Sequence, residues 1–432
     1  MAAWSDHFYV DGSVALPLNK GVYTFGIEAG LEFKPQSGHF DIERHADDSK
    51  RISMSRFVDL ASEGWQPADL LADRAATLLD VALRAEGLKY VPLVAYHWRD
   101  AAWKRAGDSK LPEAKGVLVE RSVLLIDTPG GQLVCIAPAT LDEPPEWRPR
   151  DGLAAIVAAK KSGYVVLAAS SVEWELPAWL ATGKVDGILL HADQRPRPNQ
   201  RPGDRISYGG NSGPGRWQEA AYFQMLEAGF KLPPMAGSGS GLAEVPLGTS
   251  FVLVSLAGDF DRRAWWRQAL AGANVVSTGP LLRPQVGGDP PGQVFATSAD
   301  NPVEFAVALN LATRTSIEYL EILRNGQVEH EVRLDDWAAA GGKLPPLEFS
   351  ESGWFAIRAV TTNRDRYDVA MSAPYYVETT DGARISQAAC DFFLEWLDEL
   401  AELPVGRRSI ADNHLQQARQ IWQQRRAASN SP

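Results

Sequence analysis

The chain has 432 residues, 45% of them hydrophobic and 22% charged, with a net charge of −11 and a pI near 5.3. That length exceeds one ordinary core and calls for about two to four domains. The acidic balance argues against nucleic acid or anionic membrane as partners, and apolar runs such as Phe251–Ala257 fall far short of the roughly 20 residues a membrane span needs.

Met1-Ala2-Ala3 leads directly into WSDHFYV, without the basic and apolar segments of a secretory leader. The chain opens inside a β-domain, as expected of a start from which a leader has been trimmed. His7–Val10, Val14–Pro17, Val22–Glu28, Gly38–Glu43 and Arg51–Phe57 are short, partly alternating runs between Asp-Gly, Asn-Lys-Gly and Asp-Asp-Ser turns. They predict a small β-sandwich lacking its first strands.

Glu63–Arg74, EGWQPADLLADR, reads as a buried strand whose C-terminal end delivers side chains into a cleft. From there to about Pro280, strands alternate with helices. Leu78–Glu86 is helical and leads to the apolar run Val91–Ala95; Gly152–Lys161 leads to Tyr164–Ala169, and Trp174–Thr182 to Val185–His191. Trp217–Ala228 is a longer helix, and Asp261–Ala271 precedes Asn274–Ser277. Repeated βα units predict an α/β barrel or a doubly wound sheet. A barrel places functional residues at the C-terminal ends of its strands. Two segments interrupt the pattern: Val117–Ile136, a hairpin turning at Pro129-Gly130-Gly131, and the long Pro-, Gly- and Arg-rich loop Ala192–Arg216.

A second β-domain is expected over Gln285–Thr379, with strands at Phe305–Leu311, Ile317–Arg324, Trp354–Val360 and Tyr375–Glu378. A helical tail follows at Ser386–Leu403 and Arg408–Arg426. The expected domains are therefore 1–62, 63–284, 285–382 and 383–432. Only Cys135 and Cys390 occur, so there is no disulfide framework and no zinc-type spacing; buried free thiols are expected.

EGWQPADLLADR is followed by Ala85-Glu86-Gly87-Leu88, WELPAWLATG (174–183) and WQEAAYFQMLEAGFKLPPMAGSGSG (217–241). Then come TGPLL (278–282), SGWFAIRAV (352–360) and Ala373-Pro374-Tyr375-Tyr376. In this order the strings resemble secreted bacterial proteins of the PHP-like metallohydrolase superfamily, in the branch named for carbamate-hydrolysing enzymes. The resemblance runs from about Trp4 to Trp396. It implies a distorted seven-stranded PHP-like β/α barrel flanked by two β-sandwich domains, a helical C-terminus, and a secreted or periplasmic location. Catalytic members hold one to three divalent metals through His, Asp and Glu, and a metal-bound hydroxide attacks the substrate.

At the ligand positions this chain departs from the family. Leu71 and Asp73 stand in place of a His-x-His pair, and leucine cannot ligate. Tyr96-His97 falls where Asp-His is frequent, Glu120 where relatives carry an acidic residue, and Ala169 where close relatives carry glutamate. His191 matches a histidine, and Gly237-Ser238-Gly239-Ser240 replaces a segment that ends in Asp-x-His. The surviving set, Asp73, His97, Glu120 and His191, would hold one Zn²⁺, Mn²⁺ or Fe²⁺, or no metal at all. The plainer readings stay open: His97 as a hydrogen-bonded rim histidine, and Asp73 as a partner of Arg74 or a helix cap.

Other residues suggest ligand binding. Ser238 and Ser240 lie in a glycine-rich loop without the strand–Ser–helix context of a nucleophile elbow, so a tight turn with close backbone approach is the competing reading. Of the 14 tryptophans, Trp174, Trp179 and Trp217 flank the barrel-end segments and would stack on a glycan, unless they are simply core. Arg195, Arg197, Arg201, Arg205 and Arg216 form a loose basic patch for an anionic group or a solvated loop face. Arg74 stands beside the degenerate metal motif. The expectation is a degenerate homologue that binds a small molecule or glycan at the barrel mouth; the alternative is an active mononuclear metal-dependent hydrolase.

Overall fold

The computed structural model describes the chain apart from residues 1, 5–6, 44–48, 75, 108–110, 112–113, 192–196 and 405, with backbone alone at 2–4, 7 and 76–78. The fold is mixed α/β. Trp65–Ala68, Tyr90–Arg99 and Leu118–Thr128 run parallel, and Gly131–Ile136 returns antiparallel through the turn at Pro129-Gly130. Val165–Ala168 pairs with that returning strand, and Gly187–Leu189 and Pro234–Met235 extend the ladder in parallel. Tyr90–Trp98 is buried at every position, as expected of a parallel strand covered on both faces.

The ladder then comes back on its own first strand. Leu70 N–H donates to Ala236 C=O at 3.1 Å, Gly239 N–H to Leu71 C=O at 2.8 Å and Asp73 N–H to Ser240 C=O at 2.7 Å. Glycine is required at this seam. A Cβ on Gly237 would lie 2.3 Å from Leu71 N, and one on Gly241 would lie 1.7 Å from the Asp73 carbonyl oxygen. Gly241 also has φ +90°, which an L side chain strains to adopt.

Helices cover the ladder with clear local signals. Gly152–Lys161 is capped by Asp151, whose Oδ1 accepts from Ala154 N at 2.7 Å. Ala76–Glu86 ends at Gly87, φ +70°. On the other edge of the first strand, Phe251–Ser255 runs antiparallel and leads through Asn274–Ser277 to Val369–Ser372, Gly353–Thr361, Ile317–Arg324 and Gln327–Val332. These strands bury a second core containing Phe305, Leu320, Phe349, Phe355 and Tyr375.

Gln387–Glu402 and Asp412–Ala427 form a helical hairpin against Leu176–Ala181. Phe393 and Trp422 stack with centroids 4.4 Å apart, and Trp422 Nε1 donates to Pro177 C=O at 2.9 Å.

Two expected N-terminal strands are not formed. Val14–Pro17 is exposed and irregular, and Arg51–Phe57 contributes one bridge, Phe33 to Arg56. Alternation alone does not make a strand without a partner edge. Gly21–Ile27 and Gln36–Ile42 do pair, as a separate two-stranded sheet.

Candidate functional site

The first strand ends at Ala68, and the residues after it are fixed by Asp69. Its Oδ1 accepts from Ser238 N at 2.7 Å and Leu71 N at 3.3 Å, and its Oδ2 accepts from Gly248 N at 2.9 Å. Burial pushes this carboxyl up to about 6, against the opposing hydrogen bonds from Ser238, Gly248 and Leu71. Asp69 therefore ties the strand end to the glycine-rich loop. The serines of that loop serve the same seam: Ser238 Oγ accepts from Ser240 N at 3.1 Å, while Ser240 Oγ donates to Val245 C=O and accepts from Arg74 Nε, both at 2.8 Å.

Beyond the seam, Asp73 Oδ2 and His97 Nε2 lie 2.8 Å apart, joining the C-terminal ends of two neighbouring parallel strands. His97 is 8% exposed, and its Nδ1 is buried without a hydrogen-bond partner among the described residues. Leu71 is buried in the core. Arg74 also donates to Val245 C=O at 3.0 Å, and its carbonyl accepts from Arg121 at 3.3 Å.

Glu120 belongs to a different neighbourhood. It lies opposite Pro92, whereas His97 lies opposite Leu125. Five residues of strand separate the two levels, about 16 Å at roughly 3.3 Å per residue. Glu120 Oε1 accepts from Tyr90 OH at 2.6 Å, Ser122 Oγ at 3.0 Å and Arg262 Nε at 2.7 Å. This cluster sits at the N-terminal ends of the parallel strands.

His191 follows Gly187–Leu189 with φ +64°. Its Nε2 lies 3.1 Å from Glu219 Oε1, and its Nδ1 is buried with no partner among the described residues. Glu219 Oε2 accepts from Tyr367 OH at 2.8 Å and from Arg358. Arg358 also donates to Glu321 at 2.5 Å. Burial works to raise the Glu219 carboxyl, but Arg358, with His191 and Tyr367, holds it down at about 2. Among the described residues, no three His, Cys, Asp or Glu side chains gather as a metal group.

Glu173, a residue the sequence reading did not single out, lies beyond Val165–Ala168 and is fully buried. It accepts from Arg197 at 2.6 Å, Gln132 N at 3.1 Å and Gln200 at 3.4 Å. Burial pushes it up to about 7 although Arg197 opposes the shift. Arg197 also donates to Gln132, whose amide donates to Asp127.

The remaining candidates scatter. Arg201 is committed to the tail, donating twice to Glu399 at 2.8 and 2.6 Å, with its guanidinium 4.8 Å from the Trp396 ring centroid. Arg205 and Arg216 are exposed, and Arg195 lies outside the described residues. Trp179 is fully buried, and Trp174 is buried with Nε1 unpartnered among the described residues. Trp217 is half-buried beside Tyr208 and Phe392 and donates to Arg201 C=O at 2.9 Å. Both cysteines are buried and free. No helix among the described residues is long and apolar enough to cross a membrane.

No family model matches the chain, and no curated protein matches it. Among solved structures, fibronectin(III)-like modules of Clostridium thermocellum CbhA are similar over 24% of this chain and 100% of that one, at 14% identity and a TM-score of 0.16. A likeness so low carries no argument about fold or function.

Proposed function

We propose that the chain is a degenerate PHP-like metallohydrolase homologue. In this reading it binds a ligand, a glycan or an anionic small molecule, at a barrel mouth without the family's binuclear metal chemistry. The barrel is supported by the return of the ladder, where Leu70, Leu71 and Asp73 bond to Ala236, Gly239 and Ser240. Seven strands, counted from Trp65–Ala68 to Pro234–Met235, would then enclose a core. The two flanking sandwiches and a secreted or periplasmic location belong to the same proposal.

One observation carries the functional reading. The four surviving ligand types occupy three separate networks: Asp73 with His97, Glu120 with Tyr90 and Arg262, and His191 with Glu219. That donor set does not fit a binuclear centre. Arg205 and Arg216, exposed beside the long loop, suit an anionic ligand. Thermal stabilisation by sulfate, phosphate, small carboxylates and neutral oligosaccharides tests the ligand class. Loss of the anion effect in Arg205→Ala/Arg216→Ala supports it, and stabilisation by none of them counts against it.

A second reading is an active mononuclear metal-dependent hydrolase, expected to use Asp73, His97, Glu120 and His191. It would have to do without Glu120, which lies at the other ends of the strands with Tyr90 and Arg262, and is favoured by a different feature. Both histidines have Nε2 held by a carboxylate and a buried Nδ1 left without a partner among the described residues. Metal-ligating histidines are commonly backed by a carboxylate in this way.

A further inference from the structure

The sheet Gly21–Ile27/Gln36–Ile42 has two strands, and among the described residues no third strand joins it. No residue of either strand is fully buried. Tyr23, Phe25, Ile27, Phe40 and Ile42 are half-buried on one face, and Val22 on the other is 75% exposed. Two-stranded sheets of this size are marginal in water unless further strands or a cover are added.

The two outer edges differ in chemistry. Gln36–Ile42 follows Lys34-Pro35 and carries His39 and Asp41, features that discourage edge pairing. Gly21–Ile27, GVYTFGI, contains no charge and no proline, and makes no backbone hydrogen bond outside its own hairpin among the described residues. The contrast holds elsewhere in the fold. Gln327–Val332, at the end of the large sheet, carries Glu329, His330 and Glu331 and is protected by them.

We infer that Gly21–Ile27 pairs antiparallel with the same strand of a second copy, making a four-stranded sheet across a two-fold axis. The sequence is self-complementary in that register. Thr24 meets Thr24 at the axis, Tyr23 meets Phe25, Val22 meets Gly26, and Gly21 meets Ile27. No like charges face one another, and two aromatic cross-strand pairs form, the kind of contact that stabilises sheets. The face holding Tyr23, Phe25 and Phe40 becomes continuous between copies, in the self-matching manner of a two-fold interface. A charged strand such as Gln327–Val332 is unsuited to the same arrangement.

Sedimentation of the full chain over a dilution series tests this together with two variants. The wild type is expected to dimerise reversibly. Thr24→Lys, which sets two ammonium groups opposite each other at the axis, is expected to be monomeric with an unchanged circular dichroism spectrum. Thr24→Cys is expected to form a disulfide-linked dimer on mild oxidation, because directly opposed Cβ atoms lie about 4.5–5.5 Å apart, and the native cysteines are buried. Val328→Lys, on the edge strand Gln327–Val332 of the large sheet, is expected to change nothing. A monomeric wild type, a dimer that Thr24→Lys leaves intact, or failure of Thr24→Cys to cross-link would each overturn the inference. Should Thr24→Lys misfold, the cross-link decides.

Discussion

His97 Nε2 lies 2.8 Å from Asp73 Oδ2, so two of the residues that the sequence offered as metal ligands are bonded to each other. Imidazole and carboxylate satisfy part of each other's demand. The pair depends on where Asp73 is held, and Asp73 is placed by the backbone seam to Ser240.

Gly241→Ala tests that dependence. The new methyl group would meet the Asp73 carbonyl at 1.7 Å and require a strained φ. A loss of about 3 kcal/mol is expected, read as a lower urea midpoint with unchanged m. The His97 imidazole resonances should move in the same variant. Unaltered stability would mean that the seam is looser than described.

Asp69→Ala should be costlier than a typical surface change. It strands the N–H groups of Leu71, Ser238 and Gly248 in a buried place. One such orphan costs about 1–3 kcal/mol, so a loss of about 3 kcal/mol or more is expected in denaturant titration.

The buried Glu173 gives a pH dependence with a definite sign. Its folded pKa, about 7, lies above the unfolded value near 4.3. The folded state therefore keeps a proton that the unfolded state has lost. The associated stability is full below about pH 4 and disappears as pH rises through about 7, with a slope of up to about 1.4 kcal/mol per pH unit. Glu173→Gln should flatten that part of the stability profile. An unchanged slope would contradict the assignment.

Glu219 behaves in the opposite sense. Held at about 2, below its unfolded value, it contributes stability above about pH 4.3 that is lost as pH falls toward 2. Arg358→Met removes the shared cation of Glu219 and Glu321 and should cost about 3–5 kcal/mol at neutral pH. Calorimetry across pH reads both effects.

Much of the strand and helix order was legible from sequence. Asn274–Ser277, Ile317–Arg324 and Tyr375–Glu378 are strands within the expected bounds, and the hairpin turns at Pro129-Gly130. Periodicity and turn residues are local signals, and these segments have partners to pair with. The glycine-rich loop was legible as a place of close backbone approach, since only glycine fits against Leu71 and Asp73. The site was less legible. The contacts of His191 with Glu219, and of Glu219 with Arg358 and Tyr367, join residues 28, 139 and 148 positions apart. No spacing rule announces such partners. Glu173 stands just before the expected helix Trp174–Thr182, and only its burial beneath Arg197 marks it out.

Metal content of protein purified without chelator, combined with thermal stability in added Zn²⁺, Mn²⁺ and Fe²⁺, tests the central claim most directly. The account predicts no stoichiometric metal and no stabilisation by any of the three. Near-stoichiometric metal that disappears in the His97→Ala/His191→Ala double variant would contradict it.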